Sequence, residues 1–231
     1  MTGGMEEETR NGAPAQQGAS AAASSSNLGA TLLRVAWLAI LLGMAMEGIL
    51  LVLSAGLGDL LGLGSIVAEL ARNVSWSLLV CLGLSVGKAV QSARVPVMGL
   101  LGFLAAPAAF EISRVIHKGA IQALAISGSA GEDLSPFLLA LIKGLEYGCL
   151  GLALGWVSQR PWGGAMAHMA VGFVVGAVFG GTVIALLAAS GPEVSATILL
   201  SRGVTEVLFP VGCSLVLFSA EALGTSMASS D

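Results

Sequence analysis

From Thr31 onward the sequence divides into six long apolar segments, and this feature restricts the fold more than any other. The segments cover roughly residues 31–56, 63–88, 96–127, 136–158, 165–190 and 195–220. Each is long enough, at about 1.5 Å per residue, to cross the roughly 30 Å hydrocarbon layer of a bilayer as an α-helix. Hydrophobic residues make up 55% of the chain and charged residues 10%, which is more apolar surface than a soluble domain can cover. We therefore predict an all-α, polytopic membrane helix bundle of about six transmembrane helices in contact with the lipid bilayer.

The two ends of the chain differ in composition from this apolar region. Residues 1–27 contain three consecutive glutamates followed by Gly, Ala, Gln and Ser, a composition that cannot bury a core and that predicts a disordered tail. Residues 28–224 are predicted to form the transmembrane domain, and residues 225–231 a short C-terminal tail. The apolar runs are continuous and lack the alternation of barrel strands, so they favour helices.

The links between the segments alternate in charge. One set carries Arg34, Lys88, Arg94 and Arg160. The other set carries acidic residues and no Lys or Arg, namely Asp59, Glu132, Asp133 and Glu193. Because basic loops stay in the cytoplasm, the alternation predicts that both termini are cytoplasmic. It fits a multi-pass protein of the cell inner (plasma) membrane.

A recurring pattern divides the six segments into three pairs, at about residues 31–94, 95–160 and 161–224. The second segment of each pair begins near a serine that is a candidate helix N-cap, and continues to a basic residue followed by Asn or Gly. These residues are Ser65 with Arg72, Ser135 with Lys143, and Ser195 with Arg202. We predict three tandem antiparallel hairpins.

Charged residues inside the apolar segments are the main candidates for function. Five are acidic and five are basic: Glu47, Glu69, Arg72, Glu111, Arg114, Lys118, Lys143, Glu146, Arg202 and Glu206. A charge at the bilayer centre costs roughly 2.5–3.5 kcal/mol on insertion scales, so these side chains are expected to face the bundle and one another. Spacings of three or four residues allow pairs on one helix face: Glu69 with Arg72, Glu111 with Arg114, Lys143 with Glu146, and Arg202 with Glu206. Such a network either fixes how the hairpins dock or forms a polar pathway for ions.

Glu47 differs from the other acidic residues because it has no basic partner on its own helix. A carboxylate at this depth is either paired across helices or protonated. It is therefore the first candidate for an ion-coupled group.

Other chemistry finds little support in the sequence. Cys81, Cys149 and Cys213 lie inside apolar runs without metal-ligand spacing, which is typical of buried thiols. His117 and His168 are too few for a metal or haem site. We find no His-Glu-x-x-His motif, phosphate-binding loop or basic patch. The chain is therefore predicted not to be an enzyme, to need no cofactor and to bind no nucleic acid.

Two short segments of the last hairpin carry a resemblance to a known family. Residues 180–183 read Gly-Gly-Thr-Val, and residues 203–208 read Gly-Val-Thr-Glu-Val-Leu. These resemble the paired helices of the TolQ/ExbB/MotA proton-channel family, in which a Gly-Thr-Val segment precedes a Gly-Ile-x-Glu-Ala-Leu segment. The resemblance implies an ion conduit in a homopentamer around a partner's transmembrane helices. It further implies that Thr182 and Thr205 are pore-facing hydroxyls and that Glu206 is the acidic group.

Taken together, the charges favour a transporter or channel that moves an ion or small polar solute between helical hairpins. Its carboxylates would be Glu47, Glu111, Glu146 and Glu206. Its basic residues, Arg72, Lys143 and Arg202, would neutralise the empty site or bind an anion, so the sign of the solute stays open. The alternative is a non-transporting or proton-channel-like subunit of a larger membrane complex, formed with copies of itself or with other subunits. Two glycine stripes, residues 148–155 and 172–180, offer surfaces for such assembly or for packing within the chain.

Overall fold

The computed structural model of the chain describes residues 13–58, 62–90, 93–126, 134–190 and 196–228. Within these residues the protein forms six α-helices and no strand. The helices are α1 (Ala13–Gly56), α2 (Leu63–Ala89), α3 (Arg94–Ala123), α4 (Pro136–Val157), α5 (Ala165–Ser190) and α6 (Ala196–Ala228). Each contains a span long and apolar enough to cross a membrane. The prediction of an all-α bundle with six membrane-capable helices is confirmed.

The first helix is longer than the predicted apolar segment. It begins at Ala13, whereas its membrane-capable span begins at Leu28. Residues 13–27, which the composition assigns to a disordered tail, therefore have helical backbone, and their alanines explain this because alanine has the highest helix propensity. Residues 1–12 lie outside the described part, where disorder stays a prediction. At the other end α6 extends to Ala228, into the predicted C-terminal tail.

Helix α3 ends earlier than the apolar segment that predicts it. Its last residue is Ala123, and Pro107 lies inside it without interrupting it. Ala125 adopts a left-handed conformation with φ of 50°. The Ile126 amide donates to the carbonyl of Ile121 at 3.1 Å, and the Ala125 amide donates to that of Gln122 at 3.2 Å. This pair of bonds is a Schellman motif, which terminates the helix.

The predicted serine caps are only partly present. Ser65 lies inside α2, whose N-cap is Gly62, so its prediction is wrong. Ser135 occupies the N-cap position of α4, but its side chain makes no capping hydrogen bond. Pro136 follows at the start of α4, where the fixed φ of proline favours helix initiation. Ser195 lies outside the described residues.

The helices form a closed ring in which each packs against its neighbours in sequence and α6 returns to α1. The most extensive contacts join α2 to α3 and α3 to α4, followed by those between α5 and α6. Because the contact between α2 and α3 is as extensive as those within the proposed hairpins, packing does not separate three hairpin units. The hairpin grouping and the cytoplasmic termini stay predictions, and the acidic link residues lie outside the described part.

Both glycine stripes are used for packing within the chain. On α4, a Cβ added to Gly155 would lie 3.0 Å from the Cα of Val95 on α3. On α5, a Cβ added to Gly176 would lie 3.0 Å from the Cα of Val207 on α6. Glycine therefore lets these backbones approach closely. The stripes belong to the α3–α4 and α5–α6 contacts.

Helix α4 is the most enclosed of the six. Over its most apolar window 56% of its residues are buried, compared with 28% for α3. Tyr147 and Leu150 on α4 are fully buried in the core. Charged side chains on the same face of α4 are consequently held inside the bundle.

Candidate functional site

A buried lysine on α4 is at the centre of the site. Its ammonium donates to Oε2 of Glu146 at 2.7 Å and to Oε2 of Glu206 on α6. Lys143 is 9% exposed, Glu146 0% and Glu206 4%. The predicted Lys143–Glu146 pair is confirmed. The predicted partner of Glu206 is wrong, because Glu206 pairs with Lys143 across helices and not with Arg202 on its own helix.

Glycines next to these charges set the distances between helices. A Cβ added to Gly144 would lie 3.1 Å from the carbonyl oxygen of Phe103 on α3. A Cβ added to Gly180 on α5 would lie 2.6 Å from the Cβ of Glu206. The sequence thus has its smallest residue where a neighbouring helix must approach Lys143 or Glu206. This close packing fixes the positions of both side chains within the bundle.

Two aromatic rings complete the surroundings of the ammonium. Lys143 Nζ lies 5.8 Å from the ring centroid of Trp76 on α2 and 5.9 Å from that of Tyr147. The two rings meet edge to face with centroids 5.5 Å apart. Both distances are within the range in which a cation is attracted to an aromatic ring. The rings and the two carboxylates together stabilise a charged lysine inside the bundle.

A second group of charges lies on α2 and α3. Arg72 Nη2 lies 2.5 Å from Oε2 of Glu69, and His117 Nε2 lies 3.1 Å from Oε1 of the same carboxylate. On α3, Arg114 Nη1 lies 3.5 Å from Oε1 of Glu111. Both pairs predicted from the spacing are confirmed. His117 connects α3 to the carboxylate on α2.

Glu47 on α1 has a partner that the sequence did not indicate. Asn73 on α2 donates from Nδ2 to Oε2 of Glu47 at 2.9 Å, and Glu47 is only 4% exposed. The carboxyl group is therefore satisfied across helices, and this partner is a neutral amide. Asn73 directly follows Arg72, and an asparagine in the middle of an apolar helix was the signal that could have identified it.

These groups surround a cavity of about 90 Å³ between α2, α3, α4 and α6. Its charged lining consists of Arg72, Arg114, Lys143, Arg202 and Glu206. Its neutral polar lining and its histidine are Asn73, Ser113, Thr205 and His117. The rest of the wall is apolar and consists of Trp76, Phe110, Leu139 and Phe209. This mixture of a few converging polar groups with apolar walls is typical of small-molecule sites.

The cavity brings together some of the predicted site residues and not others. Six of them line it: Arg72, Arg114, Lys143, Arg202, Thr205 and Glu206. Four more touch lining residues from outside: Glu47, Glu69, Glu111 and Glu146. Thr182 is exposed, and its hydroxyl donates to the carbonyl of Val178 at 2.9 Å. It does not line the cavity.

One sequence pattern was missed. Residues 83–87 read Gly-Leu-Ser-Val-Gly, the Gly-x-Ser-x-Gly pattern of a nucleophile elbow, which requires a sharp turn between a strand and a helix. Here Ser85 is buried inside α2. A Cβ on Gly83 would lie 2.5 Å from the Cβ of Ala105, and one on Gly87 would lie 2.8 Å from the Cα of Met98. The glycines therefore serve the contact with α3, and the pattern forms no elbow.

Metal ligands and relatives give no further guide to the site. In the part of the chain that the structure describes, no three His, Cys, Asp or Glu side chains are grouped to hold a metal ion. Comparison with models of protein families, with curated proteins and with solved structures finds no match to this chain.

Proposed function

We propose that this membrane protein is a transporter or channel that moves an ion or small polar solute through the charged cavity. The observation that carries the proposal is a cavity of about 90 Å³ with four basic side chains and one carboxylate in its wall. A purely structural ion-pair network stabilises the fold most when its charges contact one another directly, because a cavity beside a buried charge removes packing contacts. In the described residues Arg202 has no ion-pair partner, although it lines the cavity.

The ion pair between α4 and α6 gives the cavity a way to open. These two helices share few backbone contacts, so the pair between Lys143 and Glu206 is a principal connection between them. A solute that binds either group weakens this connection. Movement of α6 relative to α4 then exposes the cavity to one side of the membrane and afterwards to the other, as in transporters with a central site.

The orientation in the membrane is part of the proposal. Lys88 near the end of α2 pairs with Glu221 near the end of α6 at 2.5 Å. Helices α2 and α6 therefore end at the same face of the bundle. The end of α4 lies at this face too, because Gly155 packs against Val95 and Gly87 packs against Met98, both near the start of α3; the exposed Arg160 follows α4. By the positive-inside rule this face is cytoplasmic. We accordingly propose a multi-pass protein of the cell inner membrane with both termini in the cytoplasm.

The proposal is tested by flux into proteoliposomes containing the purified full chain. Protons, potassium, chloride and acetate are offered in turn, with and without a proton gradient. The variant Glu206→Gln removes the carboxylate of the cavity wall and is expected to reduce flux at least about tenfold. The control variant Glu221→Gln removes a carboxylate that is 47% exposed outside the cavity and is expected to keep native flux.

Several results would contradict this function. Native liposomes that stay tight to all four solutes, while circular dichroism shows a folded helical protein, would rule it out for these solutes. Equal flux in Glu206→Gln and Glu221→Gln would remove the cavity from the pathway. The double variant Lys143→Glu/Glu206→Lys exchanges the two charges and conserves the total charge. Native flux in this variant would show that the protein needs only charge balance at these positions, and it would contradict a specific role of the Glu206 carboxylate in the pathway.

A proton-channel-like subunit is the second candidate. It is favoured by the position of Thr205 and Glu206, which both line the cavity and which correspond to functional positions in the TolQ/ExbB/MotA resemblance. The exposed Thr182 would then face the pore that the subunits form together. This candidate predicts a homo-oligomer, so the measured mass of the detergent-solubilised protein, corrected for bound detergent, distinguishes it from a monomeric transporter.

A further inference from the structure

The lining of the cavity is unequal in charge. Arg72, Arg114, Lys143 and Arg202 face it, whereas Glu206 is the only carboxylate among its described lining residues. The other carboxylates that neutralise these cations lie outside the wall. A solute inside the cavity is therefore surrounded mainly by hydrogen-bond donors.

The arginines that line the cavity have N–H groups that the described ion pairs do not use. A guanidinium carries five N–H groups in a planar arrangement that matches a carboxylate. Arg72 contacts Glu69 through Nη2, and Arg114 contacts Glu111 through Nη1, so each has other N–H groups available. Arg202 lacks any ion-pair partner within the described residues. As far as the described residues show, these side chains can bind an oxyanion without breaking an ion pair.

A cation meets a different situation in the same cavity. The carboxylate of Glu206 already binds the ammonium of Lys143, which is tethered to the same site. An incoming cation must displace this ammonium and must also approach three guanidinium groups. Charge repulsion of this kind excludes wrong solutes. The arrangement therefore selects against cations and in favour of anions.

The size and the walls of the cavity restrict the anion further. A cavity of about 90 Å³ has room for a small solute only. Phe110, Leu139 and Phe209 form an apolar part of the wall, and an inorganic ion cannot use it. A short hydrocarbon chain can, because burying it removes apolar surface from water.

We propose that the cavity binds short-chain organic carboxylates, with the guanidinium of Arg202 holding the carboxylate and the apolar wall holding the hydrocarbon chain. This inference rests on the proposed function, because it names the substrate class of the same cavity. Arg72 and Arg114 contribute further donors. Lys143 stays paired with Glu206 until the carboxylate competes for it.

The test measures binding of radiolabelled propionate to the purified full chain in detergent micelles. Native protein is expected to bind propionate saturably. Arg202→Gln removes the guanidinium of Arg202 and is expected to weaken binding at least about tenfold, whereas Arg202→Lys keeps the charge without the bidentate geometry and weakens it less. The control Arg160→Gln removes an exposed charge outside the cavity and should leave binding unchanged. Circular dichroism and size-exclusion chromatography verify that each variant is folded.

Competition identifies the chemistry of the ligand. Unlabelled butyrate is expected to displace propionate, and phosphate, chloride and tetramethylammonium are expected not to. Displacement by phosphate at equal or lower concentration would overturn the role of the apolar wall. Failure of folded native protein to bind propionate would overturn the inference.

Binding and flux separate this inference from the proposed function. Propionate binding that depends on Arg202 without flux of any solute supports the carboxylate site and rejects transport. Cation flux that depends on Glu206 without propionate binding supports transport and rejects the carboxylate site. If neither occurs, both are rejected.

Discussion

The adjacent glycines Gly180 and Gly181 on α5 allow the packing that fixes Glu206 to be tested with a matched pair of variants. A Cβ on Gly180 would lie 2.6 Å from the Cβ of Glu206 and 3.7 Å from its Cα. A Cβ on Gly181 would meet nothing within 4 Å. Both positions are inside the same helix, so alanine gives the same gain in helix propensity at each. The difference between Gly180→Ala and Gly181→Ala therefore reports the contact with α6.

The magnitude follows from two opposing effects. Alanine in place of glycine inside a helix stabilises by about 0.5–1 kcal/mol. At Gly180 the new methyl group meets an atom next to the backbone of Glu206, which cannot rotate away, so α6 must shift. Overpacking of this kind costs about 1–3 kcal/mol. We therefore expect Gly180→Ala to be about 1–3 kcal/mol less stable than Gly181→Ala.

The assay is reversible unfolding of the purified protein in mixed micelles, with the mole fraction of sodium dodecyl sulfate as denaturant and far-ultraviolet circular dichroism as the readout. The free energy of unfolding is compared between the two variants and the native chain. Equal stability of Gly180→Ala and Gly181→Ala would refute the close approach of α5 to α6 at Glu206. It would also remove the packing contact that positions that carboxylate in the bundle.

Three further predictions use simpler measurements. Lys143→Met leaves two buried carboxylates without their cation, so it should lower the free energy of unfolding by about 3–5 kcal/mol. The double variant Lys143→Met/Glu206→Gln should recover part of this loss, and no recovery in the same unfolding assay would contradict the pairing. Cys81 and Cys213, which are fully buried with their sulfur atoms 3.2 Å apart, should resist alkylation by N-ethylmaleimide until sodium dodecyl sulfate unfolds the protein; rapid labelling of either thiol in the folded protein, located by peptide mass spectrometry, would contradict the packing of α2 on α6. Ala125→Gly should stabilise by about 0.5–1 kcal/mol, because glycine adopts a positive φ without the steric cost of alanine; a loss of stability in the unfolding assay would contradict the Schellman motif.

The parts of the structure that the sequence predicts well depend on residues close together in the chain. Six apolar segments predict six membrane-capable helices, since length and hydropathy are local properties. The pair between Glu69 and Arg72 follows from helical spacing alone, as does that between Lys143 and Glu146. A helix brings residues three positions apart to one face whatever surrounds it.

The contacts that build the site depend on the tertiary arrangement, and these the sequence does not predict. Spacing on α6 favours Arg202 as the partner of Glu206, yet Glu206 pairs with Lys143, 63 positions away. The bond from Asn73 to Glu47 likewise joins two helices. Which face of one helix meets which face of another depends on side-chain packing over the whole bundle. Spacing within one helix carries no information about it.

The glycine stripes and the buried charges are two parts of one arrangement. Glycine brings α4 against α3 and α5 against α6, so the glycine-lined faces of α4 and α5 are used for packing within the chain. The charged residues Lys143 and Glu206 are left to meet between α4 and α6, where backbone contacts are few and the cavity forms. The two glycine stripes, which the sequence suggested as docking surfaces for other subunits, are therefore already covered by α3 and α6. An assembly with other subunits must use different faces, whereas a solute site needs no further surface than the one that these helices already enclose.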